Sequence, residues 1–123
     1  MGMDVYGIKP RNKTGEYFRA SIWSWRPIHA ICETVMDNEL PGWAYNDGAG
    51  YKTQKECDVL ADKIEAFIKA APEVSYKLPC PKGMGVNHKG QFGKGNLTPY
   101  EVDITHLREF IKFLRACGGF KIN

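Results

Sequence analysis

Apolar residues recur along the chain with two different periods. Behind Pro27, residues Ile28, Ile31, Cys32, Val35 and Met36 stand at i, i+3, i+4, i+7 and i+8. This predicts an amphipathic helix opening at Pro27, with His29, Glu33 and Asp37 on a second face. A second stripe, Cys57, Leu60, Ala61, Ile64, Phe67 and Ile68, follows a Thr53/Glu56 capping box and is stopped by Pro72. A third comprises Ile104, Leu107, Phe110, Ile111, Leu114 and Cys117. It starts near Thr98-Pro99-Tyr100-Glu101 or at Asp103, and ends at Gly118-Gly119.

Elsewhere the period is two. Tyr17, Arg19, Ser21, Trp23 and Trp25 alternate with Phe18, Ala20, Ile22 and Ser24, which predicts a strand over Glu16 to Trp25. Met3 to Ile8 is rich in strand formers, and Asn12-Lys13-Thr14-Gly15 between the two has turn chemistry, so they are expected to pair as a hairpin. Val74 to Leu78 and Phe120 to Ile122 read as short edge strands. Three amphipathic helices need a surface to cover, and a small antiparallel sheet supplies one. The expected fold is α+β, a single compact domain over residues 1–123.

Composition narrows the class. With 123 residues, 43% hydrophobic and 25% charged, the chain suits one globular core and excludes disordered, collagenous and disulfide-knot classes. No stretch approaches a membrane span, and the opening lacks the basic and apolar regions of a secretion signal. Gly2 is not followed by the Ser or Thr that myristoylation needs, because Tyr6 stands there. The cysteines Cys32, Cys57, Cys80 and Cys117 form no Cys-x-x-Cys pair, and three lie on the predicted apolar helix faces. Reduced thiols and a cytoplasmic location are expected. Neither a metal site nor a cofactor is expected, since Cys80 and His88 form a lone pair.

Charge changes the picture more. The net +3 divides unevenly: five Lys/Arg against two acids in residues 1–26, four against nine in 27–75, four against none in 76–98, and four against three in 99–123. A basic N-terminal region and a basic glycine-rich loop (Pro79 to Asn96) thus flank an acidic helical middle. One basic side could face an anionic ligand; solvated surface charge is the alternative.

The densest chemical feature is Arg19-Ala-Ser-Ile-Trp23-Ser-Trp25-Arg26-Pro27-Ile-His29. On a strand, Arg19, Trp23 and Trp25 share one face, while Arg26 and His29 sit at the mouth of the following helix. Aromatic rings stack on a base and guanidinium forks onto phosphate, so the cluster suits a nucleotide; tryptophans filling the core are the competing reading. Trp43-Ala-Tyr45-Asn46-Asp47-Gly48 offers Asn46 and Asp47 for a ribose or base edge, or else a turn that hydrogen-bonds locally. Lys82, Lys89 and Lys94 in the glycine-rich loop would cover an anion or track a nucleic-acid backbone, without a true phosphate-loop motif; an ordinary flexible loop is the alternative. His29 and Glu33, one turn apart, form a surface ion pair more readily than an acid–base pair, so no enzyme is expected.

Met1-Gly-Met-Asp-Val-Tyr-Gly7, Gly15-Glu-Tyr-Phe-Arg19, Trp23-x-Trp25-Arg26-Pro27 and Asn46-Asp47-Gly48 resemble a group of small proteins encoded by tailed phages and prophages. The resemblance covers about the first fifty residues. It implies a phage origin and the bacterial cytosol; the Cys-x-x-Cys knuckle of some longer members is missing here, so no metal role carries over. Phage proteins of this size include inhibitors that sequester nucleotide-derived immune signals. The leading expectation is therefore non-enzymatic capture of a cyclic dinucleotide or ADP-ribose derivative, in a preformed site that a homo-oligomer would help to enclose. The expected ligand contacts are Tyr6, Arg19, Trp23, Trp25, Arg26, His29, Trp43, Asn46, Asp47 and Lys89. Two alternatives stand beside it: an inhibitor that binds a host defence protein directly, and a small nucleic-acid-binding protein.

Overall fold

The computed structural model describes residues 2–77 and 100–123. The glycine-rich loop with Cys80, Lys82, His88, Lys89 and Lys94, together with Thr98 and Pro99, lies outside the described residues. Strand β1 (Gly2–Gly7) pairs antiparallel with β2 (Tyr17–Ser21) through the predicted Asn12–Gly15 turn. Helix α1 (Ile22–Met36) and helix α2 (Gln54–Ala70) follow, then strands β3 (Ser75–Lys77) and β4 (Glu101–Asp103), helix α3 (Ile104–Ala116) and strand β5 (Phe120–Ile122). The first sheet has the order β2-β1-β5, and β3 and β4 form a separate antiparallel pair. The expected α+β class is what the chain adopts.

Alternation along the paired strands divides the first sheet into two faces. Met3 opposite Ala20, and Val5 opposite Phe18 and Ile122, point into the core, joined by Phe120. Gly2, Asp4 and Tyr6 face the other way, opposite Ser21, Arg19 and Tyr17. Over the inner face lie Leu107, Phe110, Phe113 and Leu114 of α3, with the Phe18 ring tilted against Phe110 at 5.0 Å. Helix α2 contributes its predicted stripe of Cys57, Leu60, Ala61, Ile64 and Ile68, all buried, while Phe67 is partly exposed and packs 5.2 Å from Tyr76 of β3. Thr53 caps the helix: its Oγ1 accepts the Glu56 N–H at 3.3 Å, and its hydroxyl donates to Glu56 Oε1 at 3.0 Å.

One helix start departs from the sequence expectation, and another is decided between two alternatives. Helix α1 begins five residues before Pro27, so Trp23 and Trp25 are helical and do not share a strand face. Ser21 causes this by capping the helix, its Oγ accepting the Ser24 N–H at 3.2 Å. The buried positions Trp25, Ile28 and Cys32 then continue one face at i, i+3 and i+7, which outweighs the hydrogen bond that Pro27 cannot donate. Of the two starts the sequence offers for α3, the chain uses the one at Asp103, and residues 101–103 form β4. Val102 is fully buried opposite Tyr76, and Asp103 caps the helix by accepting the His106 N–H at 2.8 Å.

Cys32, Cys57 and Cys117 are buried thiols, with the Cys57 and Cys117 sulfurs 3.6 Å apart between α2 and α3. Desolvation, with a smaller contribution from Glu33, pushes the Cys32 thiol well above its ordinary pKa of 9.0. The folded state therefore holds a proton that the unfolded chain releases at that ordinary value. Stability is full below it and falls as pH rises beyond it, by up to about 1.4 kcal/mol per pH unit for one such group. Urea unfolding compared at about pH 8 and about pH 10 is expected to show this decline; a flat profile would mean that the thiol is solvated. Among the described residues, no helix is long and apolar enough to cross a membrane.

Candidate functional site

The solvent side of α1 carries a cavity of about 220 Å³. Ile22, Arg26 and Ala30 follow one another at i, i+4 and i+8 along its wall, and His29 and Glu33 run parallel to them. Trp25 forms the floor, and Ala44, at the end of the 3-10 turn Pro41–Ala44, closes the side. The site exists because α1 starts early: helical spacing gathers residues that a strand would have sent to opposite faces.

Arg26 is the unsatisfied group of this cavity. Its Nε is buried and has no hydrogen-bond partner among the described residues. Its guanidinium carbon lies 6.0 Å from the centre of the Tyr100 ring, a cation–π distance. A buried donor without an acceptor is costly, so an oxygen or anion entering beside it would recover the missing bond.

The other polar groups are already engaged. His29 Nε2 lies 2.7 Å from the Leu40 carbonyl oxygen, so this nitrogen carries the proton and donates it. Glu33 Oε2 accepts the Leu40 N–H at 2.8 Å and lies 3.4 Å from the same imidazole nitrogen. The expected approach of His29 and Glu33 is present, and both side chains pin the chain leaving α1 at Leu40. Trp25 is fully buried, and its indole N–H donates to the Trp43 carbonyl at 2.7 Å. Trp43 is buried as well, stacked with His29 at 6.4 Å and edge-on to Tyr51 and Phe120. Among the described residues no group of three or more His, Cys, Asp or Glu side chains is placed to hold a metal ion.

The expected contact residues therefore divide. Trp25, Arg26 and His29 line the cavity, with Trp43 supporting it from behind. Trp23 lies outside, 48% exposed, its ring 5.2 Å from Tyr100. Tyr6 and Arg19 sit on the open face of the first sheet. There Arg19 Nη1 meets Asp4 Oδ1 at 2.9 Å, and the Tyr17 hydroxyl donates to the same carboxylate. That bond raises the Tyr17 pKa above its ordinary value. Asn46 is structural: its Oδ1 accepts the Asp4 N–H at 3.4 Å and its Nδ2 donates to the Gly2 carbonyl at 3.2 Å. Its side-chain amide completes the edge of β1 where β5 runs out. Asp47 is exposed beside it, and Lys89 falls outside the described residues. The expected single aromatic–arginine strand face is replaced by two separate surfaces.

Sequence reasoning missed Ile22, Ala30, Glu33 and Ala44 as cavity walls, and Tyr17 as the partner of Tyr6. The i, i+4 relation of Ile22, Arg26 and Ala30 was a usable signal once the helix start is placed at Ser21. No protein-family model, curated protein or solved structure matches the chain.

Proposed function

We propose that the chain is a non-enzymatic binding protein that captures a small anionic, nucleotide-derived molecule through the α1 cavity. The observation that carries this reading is the buried Arg26 Nε without a partner, at the edge of a cavity with an aromatic floor. Arg26 would take a phosphate or a base carbonyl, and Trp25 and Ile22 would supply apolar contact. Sites that enclose drug-sized ligands measure roughly 300–1,000 Å³. At about 220 Å³ the cavity admits one phosphate or one base, and the rest of the ligand lies along the α1 surface. The resemblance to phage proteins supplies the setting: sequestration of an immune signal in an infected bacterium, with a cyclic dinucleotide or an ADP-ribose derivative as the ligand class.

Isothermal calorimetry and thermal shift on the full chain, with cyclic dinucleotides, cyclic ADP-ribose isomers and ADP-ribose, test the reading. A ligand is expected whose affinity falls at least about tenfold in Arg26→Ala, the value of a charge-assisted bond. Ala30→Leu, which fills the cavity, is expected to weaken it similarly. Absence of binding to every compound at low micromolar concentration, or unchanged affinity in both variants, overturns the proposal.

A second reading rests on a different observation. Trp23 and Tyr45 are 48% and 65% exposed, and large exposed aromatics serve as anchors in protein interfaces. Direct binding to a host defence protein would then depend on Trp23→Ala and Tyr45→Ala and ignore Arg26→Ala.

A further inference from the structure

The open face of the first sheet carries an arrangement that the α1 cavity does not use. Tyr6 and Tyr17 stand opposite each other on β1 and β2, both 43% exposed, with ring centres 5.2 Å apart and planes tilted by 44°. Register places Arg19 two residues along β2 on the same face, and Lys121 of β5 beside Tyr6. We propose that this face is a stacking platform for single-stranded nucleic acid, with Tyr6 and Tyr17 each receiving a base and the flanking cations meeting the phosphates.

Geometry and charge both favour that occupant. Aromatic rings on adjacent antiparallel strands present neighbouring sites for successive unpaired bases, and every base has a face to offer. Asp4 fixes the platform beforehand: it accepts from the Tyr17 hydroxyl and holds the Arg19 guanidinium at 2.9 Å, so less freedom is lost on binding. That ion pair cancels the charge of Arg19 against Asp4, so Lys121 and the cations of the β1–β2 loop carry the positive charge beside the rings. β2 is an edge strand, and beyond it a groove of about 400 Å³ runs to α3, bordered by Arg19 and Lys112 with Glu109 as its acid. The exposed loop joining β1 to β2 adds Lys9, Arg11 and Lys13 against one acid, Glu16. A backbone following β2 would therefore pass more positive than negative groups. A protein partner would call for a larger apolar centre than two tyrosines bordered by cations.

Fluorescence anisotropy of the full chain with labelled twelve-nucleotide oligo-dT and oligo-U, against a duplex of equal length, tests the proposal. Single strands are expected to bind at low salt, with affinity falling linearly in log salt by about 0.7 per phosphate contacted. Tyr6→Leu and Tyr17→Leu are each expected to weaken binding about tenfold, and Tyr17→Phe, which keeps the ring, much less. Lys121→Glu should weaken it too, while Arg26→Ala, on the other surface, should not. The proposal is overturned by no binding at low salt, by equal binding to duplex, or by tyrosine variants that fold yet bind normally. Oligonucleotide binding that responds to Arg26→Ala and not to the tyrosines would assign the ligand to the α1 cavity instead.

Discussion

Trp25→Ala is expected to remove about 3–5 kcal/mol of stability, the range for deleting a large buried aromatic. Domains of this kind are stable by about 5–15 kcal/mol, so the variant approaches unfolding. The indole is fully buried and meets Phe110 edge-on at 5.7 Å. Its N–H is the partner of the Trp43 carbonyl, which truncation leaves unsatisfied inside the protein. Urea unfolding monitored by circular dichroism measures the loss. Trp25→Phe should recover much of it, short of the hydrogen bond. A cost below about 1 kcal/mol would mean that the ring serves a pocket and not the core. The result bears on function directly. Loss of ligand binding in Trp25→Ala would report an unfolded protein, which is why Arg26 and Ala30 are the informative positions.

Gly15→Ala is expected to be nearly as damaging, although it adds one methyl group. A Cβ at Gly15 would lie 2.0 Å from the Ala116 carbonyl oxygen and 2.3 Å from its carbon. Neither side can yield easily. The loop after β1 is tied to the end of α3 by Lys9 N–H to Cys117 O at 3.0 Å and Arg11 N–H to Ala116 O at 2.9 Å. Gly7 is equally confined, its Cβ position falling against the Gly15 carbonyl. Relief would require the hairpin to lift from α3, breaking backbone hydrogen bonds, and a destabilisation of about 3 kcal/mol or more follows. Thermal and urea unfolding check it. A change under about 0.5 kcal/mol would mean that the hairpin is not clamped to α3 as described.

Much of this architecture was legible in residue order, for local reasons. The stripe behind Thr53 could be read because capping and a period of 3.6 act within one segment. The β1–β2 hairpin could be read because turn residues lie between two alternating runs. Residues 21–27 were ambiguous for an equally local reason. Ser21-Ile-Trp-Ser-Trp-Arg-Pro27 satisfies a period of two and, with Ile28 and Cys32, a period of 3.6 as well. Pro27 favoured a helix start there, and the burial of Trp25 against Phe110 of α3 decided otherwise. For α3 the sequence left two starts open, and the pairing of Val102 with Tyr76 in a strand decided for Asp103.

The candidate site was legible as residue types but not as an arrangement. Trp25, Arg26 and His29 are adjacent in sequence, and their chemistry suggested a ligand. Separating Trp23 from Trp25, and Arg19 from Arg26, depended on where the strand ended. Asn46 shows the limit most clearly. Its amide reads as a ligand contact in the sequence and in the fold substitutes for a missing strand partner of β1.

The sequence by itself determined the α+β class, the helix stripes, the hairpin and the uneven charge, because periodicity, capping and turn chemistry are interactions between near neighbours. Only the tertiary structure decided which aromatics are core, that Arg26 lies at a cavity with its Nε unpaired, and that Tyr6 and Tyr17 share an open sheet face with Arg19 and Lys121. Those outcomes depend on contacts between segments far apart in the chain, where burial of the larger apolar surface overrides local preference.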